Sequence, residues 1–337
     1  MLDANKILSL MNNKFLELII FPTEQCNFRC TYCYEDFSIG KMKANVVLAI
    51  KKLISSRFQG LDVLKISWFG GEPLIAKDII FEICSHIIQL SKMYPHVTII
   101  SGMTTNAYLL NEKTLGKLFS LGVTSYQISL DGTENMHNQT RQRINHHGSF
   151  TEIWRNLLAA KMSQINFSIL LRIHVTPENA EDLFELLNHI KANFAGDTRF
   201  SIFFKAIENL GGRNAGSFKL LHGKSKMEIL KKLSQHIGNS MVIKSVEDNG
   251  PYVCYAAQTN SFLIRADGRI GKCTVALADE RNHIGELLEN GTIKIATDRL
   301  ALWTRGIKSQ NAAELSCPRY QLPKINNQLQ SIPIVIK

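Results

Sequence analysis

Three closely spaced cysteines, Cys26, Cys30 and Cys33, carry the clearest chemical signal in this chain. Their spacing is Cys-x3-Cys-x2-Cys, and they follow an apolar run, residues 15–21, that predicts a β-strand. We therefore expect the thiolates on a loop that leaves the end of a strand. A tetrahedral zinc site needs a fourth ligand, but the next cysteine, Cys84, lies far downstream in a helical pattern and is expected to be a core residue. Three thiolates favour an iron–sulfur cube with one open iron, with structural zinc as the alternative.

The same spacing, with an aromatic residue (Tyr32) before the last cysteine, resembles the signature of the radical S-adenosylmethionine (radical SAM) superfamily. In that family the open iron of a [4Fe-4S] cluster chelates the amino and carboxylate groups of S-adenosylmethionine. One electron from the cluster then cleaves the sulfonium and releases a 5′-deoxyadenosyl radical. The resemblance thus implies a redox enzyme rather than a zinc-stabilised protein.

Polar residues recur where predicted strands end, as expected if successive strands line one mouth. Residues 62–68 are followed by Gly-Gly-Glu-Pro, residues 96–102 by Thr-Thr-Asn, and residues 124–130 end in Ser-Leu before Asp-Gly. The resemblance implies that Gly70, Gly71, Glu72 and Pro73 bind the methionine amino group, that Asn106 lies along the cofactor, that Ser129 and Asp131 hold the ribose hydroxyls, that Arg172 pairs with the methionine carboxylate, and that Tyr32 and Ile202 pack against adenine. Each has a plainer structural interpretation, such as turn, ion-pair partner or core residue.

Strand and helix patterns alternate through about residue 205, which predicts parallel strands joined by crossover helices. The predicted strands are 15–21, 62–68, 96–102, 124–130, 167–175 and 199–205, and the predicted helices are 45–58, 78–93, 112–121, 149–164 and 179–195. Six units rather than eight predict an α/β fold built on a partial (β/α)6 TIM barrel, like the one that the resembling family uses. Its gap would admit a large substrate.

Composition places the chain in the cytoplasm. No apolar run reaches the roughly 20 residues that span a bilayer, and the start lacks the pattern of a secretory signal. Seven cysteines in that compartment favour metal ligation over disulfides. The net charge of +10 suits an acidic electron donor such as flavodoxin or ferredoxin, or an acidic precursor segment, but solvated lysine-rich faces are the preferred explanation. Nucleic acid is not expected as a partner, because the basic residues are scattered.

A second cysteine set follows the predicted barrel. We divide the chain into a barrel (1–207), a linker with one helix at 225–237 (208–250) and a small C-terminal domain (251–337). That last segment holds Cys254, Cys273 and Cys317, with a hairpin turn predicted at Arg265-Ala266-Asp267-Gly268-Arg269. It resembles the first part of the SPASM extension, the auxiliary-cluster domain of radical enzymes that modify peptides. The resemblance implies a reduced, twitch-like domain with one auxiliary [4Fe-4S] cluster; zinc and ordinary buried thiols are the alternatives.

The resemblance also implies a substrate class. Among SPASM enzymes, the short chain looks most like maturases that abstract a side-chain hydrogen from a ribosomal precursor peptide and form an intramolecular crosslink, with a cyclophane-type C–C bond to an aromatic residue favoured. Leader binding would use a sheet edge, a separate protein or the auxiliary domain. Formylglycine formation like that of sulfatase maturases, a small-molecule dehydrogenase or epimerase, and a non-catalytic Fe-S electron carrier are the alternatives. No catalytic base is evident.

Overall fold

The computed structural model of the chain describes residues 4–212, 214–244, 252–325 and 333–336. Its strands are β1 (Phe15–Ile20), β2 (Phe28–Cys30), β3 (Val63–Trp68), β4 (Thr98–Thr105), β5 (Ser125–Leu130), β6 (Arg141–Arg143), β7 (Ser168–Val175), β8 (Phe200–Ala206), β9 (Val242–Ile243), β10 (Ser261–Ile264), β11 (Arg269–Gly271), β12 (Gly285–Leu287), β13 (Ile293–Ala296) and β14 (Pro333–Ile336). Its helices are α1 (Ala4–Leu10), α2 (Ala44–Phe58), α3 (Lys77–Met93), α4 (Glu112–Ser120), α5 (Glu134–Thr140), α6 (Phe150–Met162), α7 (Asp182–Phe194), α8 (Gly223–Ile237), α9 (Thr297–Ser309) and α10 (Ala312–Ser316).

Two compact units make up the chain. The first takes its residues from Met1–Gln25, Ser38–Ser101 and Val246–Lys337, and the second from Cys26–Phe37 and Gly102–Ser245. The three closely spaced cysteines therefore belong to the second unit, and the Gly-Gly-Glu-Pro stretch belongs to the first. Strand β4 begins in the first unit and ends in the second.

In the first unit, β1 lies between β3 and β10 and is parallel to both. Beyond β10 the sheet continues with antiparallel neighbours, in the order β10, β11, β12, β13 and β14. Apolar side chains alternate along β3, where Leu64, Ile66 and Trp68 are buried, and helix α3 buries its own apolar stripe. These patterns have periods of two and 3.6 residues, which is why each segment adopts its element.

In the second unit, β4, β5, β7, β8 and β9 follow one another in parallel. Helix α6 lies in the connection from β5 to β7, and α7 lies in the connection from β7 to β8. The apolar faces of both helices are buried. Helix α4 begins at Asn111, whose side chain accepts the backbone N–H of Thr114 and so caps the first turn. A separate antiparallel pair, β2 with β6, carries part of the cysteine segment.

The six strands and five crossover helices expected from the sequence are all present, so the predicted α/β fold with parallel strands is confirmed. The hairpin at Gly268, which has a φ of +90°, and the helix within 208–250 are confirmed as well. Cys84 is a buried residue of α3, as expected. The division at residues 207 and 250 stays a prediction, and residues 245–251 lie outside the described part of the chain. In the described part, no helix is long and apolar enough to cross a membrane.

Candidate functional site

Cys26, Cys30 and Cys33 lie on a half-buried loop of the second unit that we call the cysteine loop, residues 26–33. Strand β2 carries its middle part, and Cys30 is the register partner of Arg141 in β6. The backbone N–H of Phe28 donates to Cys26 Sγ at 3.3 Å, and the N–H of Cys33 donates to the carbonyl of Cys30 at 3.1 Å. An N–H directed at sulfur stabilises a thiolate, so the donor set fits a metal cluster.

Burial acts on the thiols of the cysteine loop in the opposite sense. It raises the pKa of Cys30, with the Arg141 charge opposing it, and it raises the pKa of Cys33 to about 12. Thiols with such pKa values become ligands when a metal displaces their protons. Among the described residues, no three His, Cys, Asp or Glu side chains lie where one metal ion could bind them all. A [4Fe-4S] cluster makes a different demand, because each thiolate binds an iron of its own.

Tyr32 is fixed by a buried polar network of the second unit. Its hydroxyl donates to Asp131 Oδ2 at 2.7 Å, accepts from Arg141 Nη1 at 2.9 Å and lies 3.0 Å from His174 Nδ1. Asp131 also accepts from the Thr140 hydroxyl at 2.8 Å and lies 3.1 Å from His174 Nδ1. These bonds are all satisfied when His174 Nδ1 carries the hydrogen. The orientation of the Tyr32 ring is therefore set by groups from three other elements.

The charges of this network follow from burial and pairing. Burial alone would raise the pKa of Asp131, but His174 and Arg141 hold it well below its usual range, so the side chain is a carboxylate. Burial lowers the pKa of His174 and lowers that of His137, which is 0% exposed, to about 3. Both imidazoles are therefore neutral near pH 7. Arg141 keeps its charge, because Tyr32, Cys30 and Asp131 outweigh the effect of burial on its pKa.

The other expected cofactor residues of the second unit lie at strand ends or in the core. Asn106 follows β4 and donates from Nδ2 to Asn27 Oδ1 of the cysteine loop at 2.8 Å. Ser129 of β5 is buried and is the register partner of Arg172 in β7. Arg172 Nε is buried and has no hydrogen-bond partner among the described residues. Ile202 is 0% exposed in β8, a core position, so an adenine contact for it stays a prediction.

Gly70, Gly71, Glu72 and Pro73 lie at the end of β3 in the first unit. A Cβ on Gly70 would lie 2.2 Å from the carbonyl oxygen of Thr23, and one on Gly71 would lie 2.4 Å from that of Gln25. Both glycines are thus required by a close backbone approach to the segment that precedes the cysteine loop. The N–H of Glu72 donates to the carbonyl of Gln25 at 3.0 Å. The Glu72 carboxylate, 0% exposed, caps the short helix Pro73–Ala76 by accepting from Leu74 N.

The same segment is held from another side by a buried ion pair. Arg265 Nε donates to Glu24 Oε1 at 3.0 Å and Arg265 Nη2 donates to Glu24 Oε2 at 2.5 Å. Glu24 is 1% exposed, and Arg265 follows β10, which is parallel to β1. A bidentate pair of this kind fixes orientation as well as distance. The backbone between β1 and the cysteine loop is therefore clamped inside the first unit.

Cys254, Cys273 and Cys317, the auxiliary cysteines, come from three segments of the first unit. Cys254 precedes a short helix, Cys273 follows β11 and Cys317 ends α10. The N–H of Cys254 donates to the carbonyl of Leu315 at 2.9 Å, which brings the first and third segments together. Burial, helped by the nearby Cys273 and Cys317, raises the pKa of Cys254 to about 11. The structure thus brings the three auxiliary cysteines into one neighbourhood.

Buried polar side chains support the backbone around Cys273. Asn282 Oδ1 accepts the N–H groups of Lys272 and Cys273 at 2.9 and 2.8 Å, and its Nδ2 donates to the Cys273 carbonyl at 2.8 Å. Lys272 is 0% exposed, and its ammonium donates to the carbonyls of Gln258 and Ser261 at 2.5 Å each. The backbone around Cys273 lies outside any helix or strand, so these side chains satisfy its hydrogen-bonding groups and hold the loop in place.

Several residues of the site were not expected from the sequence. His174 and Arg141 are separated from Tyr32 by more than a hundred residues, and no local pattern marks them. Gly212 lies in the predicted linker, yet a Cβ there would lie 2.6 Å from the carbonyl oxygen of Cys33. Its Gly-Gly pairing with Gly211 was the available signal, since adjacent glycines mark a close approach as often as a flexible segment.

The family model described as the Radical SAM superfamily matches residues 20–190. The chain belongs to the radical SAM superfamily. Its six β/α units are those that a partial (β/α)6 barrel of this family requires, and family membership implies a [4Fe-4S] cluster and S-adenosylmethionine. The protein is therefore a radical SAM enzyme, with the chemistry of an oxidoreductase.

The chain is similar to several curated proteins. The chain is 25% identical over 292 residues to the cysteine-type anaerobic sulfatase-maturating enzyme of Clostridium novyi, covering 79% of this chain and 75% of that protein. It is 26% identical over 304 residues to the GTP 3′,8-cyclase of a Sulfurovum species, covering 84% and 86%. A stretch of 124 residues is 36% identical to molybdenum cofactor biosynthesis protein 1 of Dictyostelium discoideum, but it spans only 36% of this chain and 18% of that protein.

Solved structures share the fold. The structure of polyhistidine-tagged anSMEcpe with bound AdoMet matches with a TM-score of 0.65 at 22% identity and covers 85% of this chain and 77% of that one. Streptococcus suis SuiB bound to its precursor peptide SuiA matches with a TM-score of 0.55 at 17% identity, covering 82% of this chain and 63% of that one. At these identities the likeness concerns the fold alone.

Proposed function

We propose that this protein is a peptide maturase that removes a side-chain hydrogen from a ribosomally made precursor and forms an oxidative crosslink within it, with a cyclophane-type C–C bond to an aromatic residue favoured. The observation that carries the proposal is the second cysteine set, Cys254, Cys273 and Cys317, gathered in one neighbourhood and supported by Asn282. A second cluster suits a reaction in which the substrate loses electrons.

The bonds and electrons of such a crosslink balance only with an acceptor. The bound cluster and S-adenosylmethionine supply the deoxyadenosyl radical, which takes one hydrogen atom from the peptide. Bond formation to an aromatic ring then releases one further proton and one electron. An auxiliary [4Fe-4S] cluster held by the three auxiliary cysteines would accept this electron.

The cofactor residues expected from the sequence are kept as proposals. Cys26, Cys30 and Cys33 ligate the radical cluster. Arg172, whose buried Nε lacks a partner among the described residues, pairs with the methionine carboxylate. The remaining assignments are Glu72 with Gly70, Gly71 and Pro73 for the amino group, Asn106 along the cofactor, Ser129 and Asp131 for the ribose, and Tyr32 and Ile202 for adenine. Asp131 has three partners for its four lone-pair positions, so one position is left for a ribose hydroxyl.

The partners follow from charge and from the sheet. An acidic electron donor such as flavodoxin or ferredoxin complements the net charge of +10. A precursor peptide in extended form is suited to strand addition at a sheet edge. In the described residues, β14 pairs with one side of β13, so the free side of β14 is the edge we assign to the peptide. A cytoplasmic location remains our prediction.

The relatives support a peptide substrate without excluding a nucleotide. A sulfatase-maturating enzyme is among the curated relatives, and one of the structural neighbours is bound to its precursor peptide. GTP 3′,8-cyclases are the second candidate class, because one of them covers 84% of this chain. Formylglycine formation is the third, and it differs from a crosslink by the aldehyde that it leaves.

The test is a substrate competition on anaerobically reconstituted protein. Deoxyadenosine formation is measured with GTP, with a pool of short synthetic peptides that carry Trp, Tyr or Phe, and with no substrate. We expect the peptides to stimulate turnover and to yield a product two hydrogens lighter, unreactive to hydrazide and resistant to fragmentation between the joined residues. Conversion of GTP would move the protein to the cyclase class, and a hydrazide-reactive product would make it a formylglycine-forming enzyme.

A further inference from the structure

Arg141 is a buried cation placed against the cysteine loop. Its backbone is the register partner of Cys30. The carbonyl of Thr140, the residue before Arg141, accepts the N–H of Thr31 at 2.9 Å. The Arg141 side chain is 7% exposed, with its guanidinium carbon 5.8 Å from the centre of the Phe28 ring. Because solvent barely reaches it, water screens its charge weakly.

One N–H of the Arg141 guanidinium has no hydrogen-bond acceptor among the described residues. Nη1 donates to the Tyr32 hydroxyl, whereas Nε is buried without a partner among them. A buried N–H without an acceptor is rare in a native protein and needs a physical explanation, of which a role in a redox site is one. The sulfurs of the iron–sulfur cluster that Cys26, Cys30 and Cys33 would hold are acceptors for such an N–H.

Charge balance around the loop gives this cation a specific role. Asp131 is the carboxylate of the network, and it shares its oxygens among Tyr32, Thr140 and His174. His174 and His137 are neutral, so Arg141 is the positive charge of this network, and it opposes the effect of burial on the pKa of Cys30 and Cys33. Adding an electron to a cluster makes it more negative, and a nearby fixed cation stabilises that reduced form.

We propose that Arg141 sets the reduction potential of the radical cluster, so that the protein's electron donor can reduce the cluster. At the same time, Arg141 Nη1 fixes Tyr32. Arg141 is in this sense a positioning and potential-setting residue. The inference concerns the radical cluster alone, and it holds whether the substrate is a peptide or a nucleotide.

The test is an anaerobic redox titration of the reconstituted full-length enzyme, followed by electron paramagnetic resonance. The radical cluster is identified as the signal that is missing from a Cys26→Ala, Cys30→Ala, Cys33→Ala variant. We compare the native enzyme with Arg141→Met, Arg141→Gln and Arg141→Lys. Arg143→Met is the matched control, since Arg143 lies on the same strand but its charge is half-buried and stacks 4.9 Å from the Tyr108 ring.

We expect Arg141→Met and Arg141→Gln to reduce the ratio of reduced to oxidised cluster about tenfold at the native midpoint, a shift of about 59 mV to more negative potential. Arg141→Lys keeps the charge and should stay near the native midpoint, with a raised KM for S-adenosylmethionine from the loosened Tyr32. Activity of Arg141→Met should recover with a stronger chemical reductant. An unchanged midpoint in Arg141→Met, a shift as large in Arg143→Met, or loss of iron in all three Arg141 variants would overturn the proposal.

Discussion

The two cysteine sets are held in different ways. The cysteine loop gathers its three thiols within eight residues and is fixed by strand pairing of β2 with β6 and by side chains around Tyr32. The auxiliary cysteines come from three segments up to 63 residues apart in sequence, and buried polar side chains such as Asn282 hold their backbone. Sequence spacing therefore reveals a site built on one loop, whereas a site assembled from distant segments depends on tertiary contacts that spacing does not encode.

The largest effect is expected where the segment leading into the cysteine loop is tied to the hairpin that precedes Cys273. Glu24→Gln removes the charge from a buried bidentate pair and leaves Arg265 uncompensated. We expect it to lower the free energy of unfolding by about 3–5 kcal/mol, measured by denaturant titration of the apoprotein. Arg269→Met is the matched control, because Arg269 pairs with Asp267 at 2.7 Å on an exposed turn and should cost about 0–1 kcal/mol. Equal losses in the two variants would refute the clamp.

The next change separates the two sites. Asn282→Ala leaves two backbone N–H groups and one carbonyl around Cys273 without their partner. We expect a loss of about 3 kcal/mol in stability, with iron lost from the auxiliary site alone and deoxyadenosine formation retained. Asn282→Asp is the control, because it keeps the acceptor for both N–H groups. If Asn282→Ala keeps the iron of the radical cluster but no longer forms deoxyadenosine, the radical site and the auxiliary site are not separable.

A pH titration probes the network behind the cysteine loop. His137 is buried with its pKa lowered to about 3, beside Asp131, Arg141 and His174, so the folded protein holds it neutral. Above the unfolded pKa of about 6.5, neither state binds a proton at His137 and its contribution to the free energy of unfolding is complete. As the pH falls toward 3, only the unfolded state gains the proton, so this contribution is lost, and the loss reaches about 2 kcal/mol at pH 5. His137→Gln should flatten the dependence between pH 6.5 and 5. His147→Gln, at an exposed position, should leave it unchanged, and an equal flattening there would contradict the assignment.

The smallest effect tests a contact that the sequence placed in a linker. Gly212→Ala puts a Cβ 2.6 Å from the Cys33 carbonyl oxygen, whereas Gly211→Ala meets nothing within 4 Å. Both residues have positive φ, +91° and +95°, so both variants carry a similar backbone strain of about 1–2 kcal/mol. Only Gly212→Ala should also slow deoxyadenosine formation. Matching rates in the two variants would remove Gly212 from the site.

Much of the fold was predictable because its strands and helices have regular apolar periods, as in β3 and α3. The hairpin turn was predictable too, since Gly268 supplies the positive φ that it needs. The site was predictable only in part. Gly70 and Gly71 were expected to admit a ligand, yet the close approach that the structure shows is to the Thr23 and Gln25 backbone.

Long-range polar pairing explains what the sequence could not provide. Arg265 was expected only as a residue of a turn, but its partner, Glu24, lies 241 residues away. The carboxylate of Asp131 is shared with His174, 43 residues further along the chain. No local pattern encodes such pairs, because they depend on which strands become neighbours. Burial then decides their charge, as it does for His137.

The central claim, that the chain carries two iron–sulfur clusters with separate roles, is tested most directly by counting iron and acid-labile sulfide on anaerobically reconstituted protein. The native chain is compared with a Cys26→Ala, Cys30→Ala, Cys33→Ala variant and a Cys254→Ala, Cys273→Ala, Cys317→Ala variant, with deoxyadenosine assayed in parallel. We predict about eight irons in the native chain and about four in each variant, with deoxyadenosine formation abolished only in the first. About four irons in the native chain, none in the first variant and about four in the second would contradict the account.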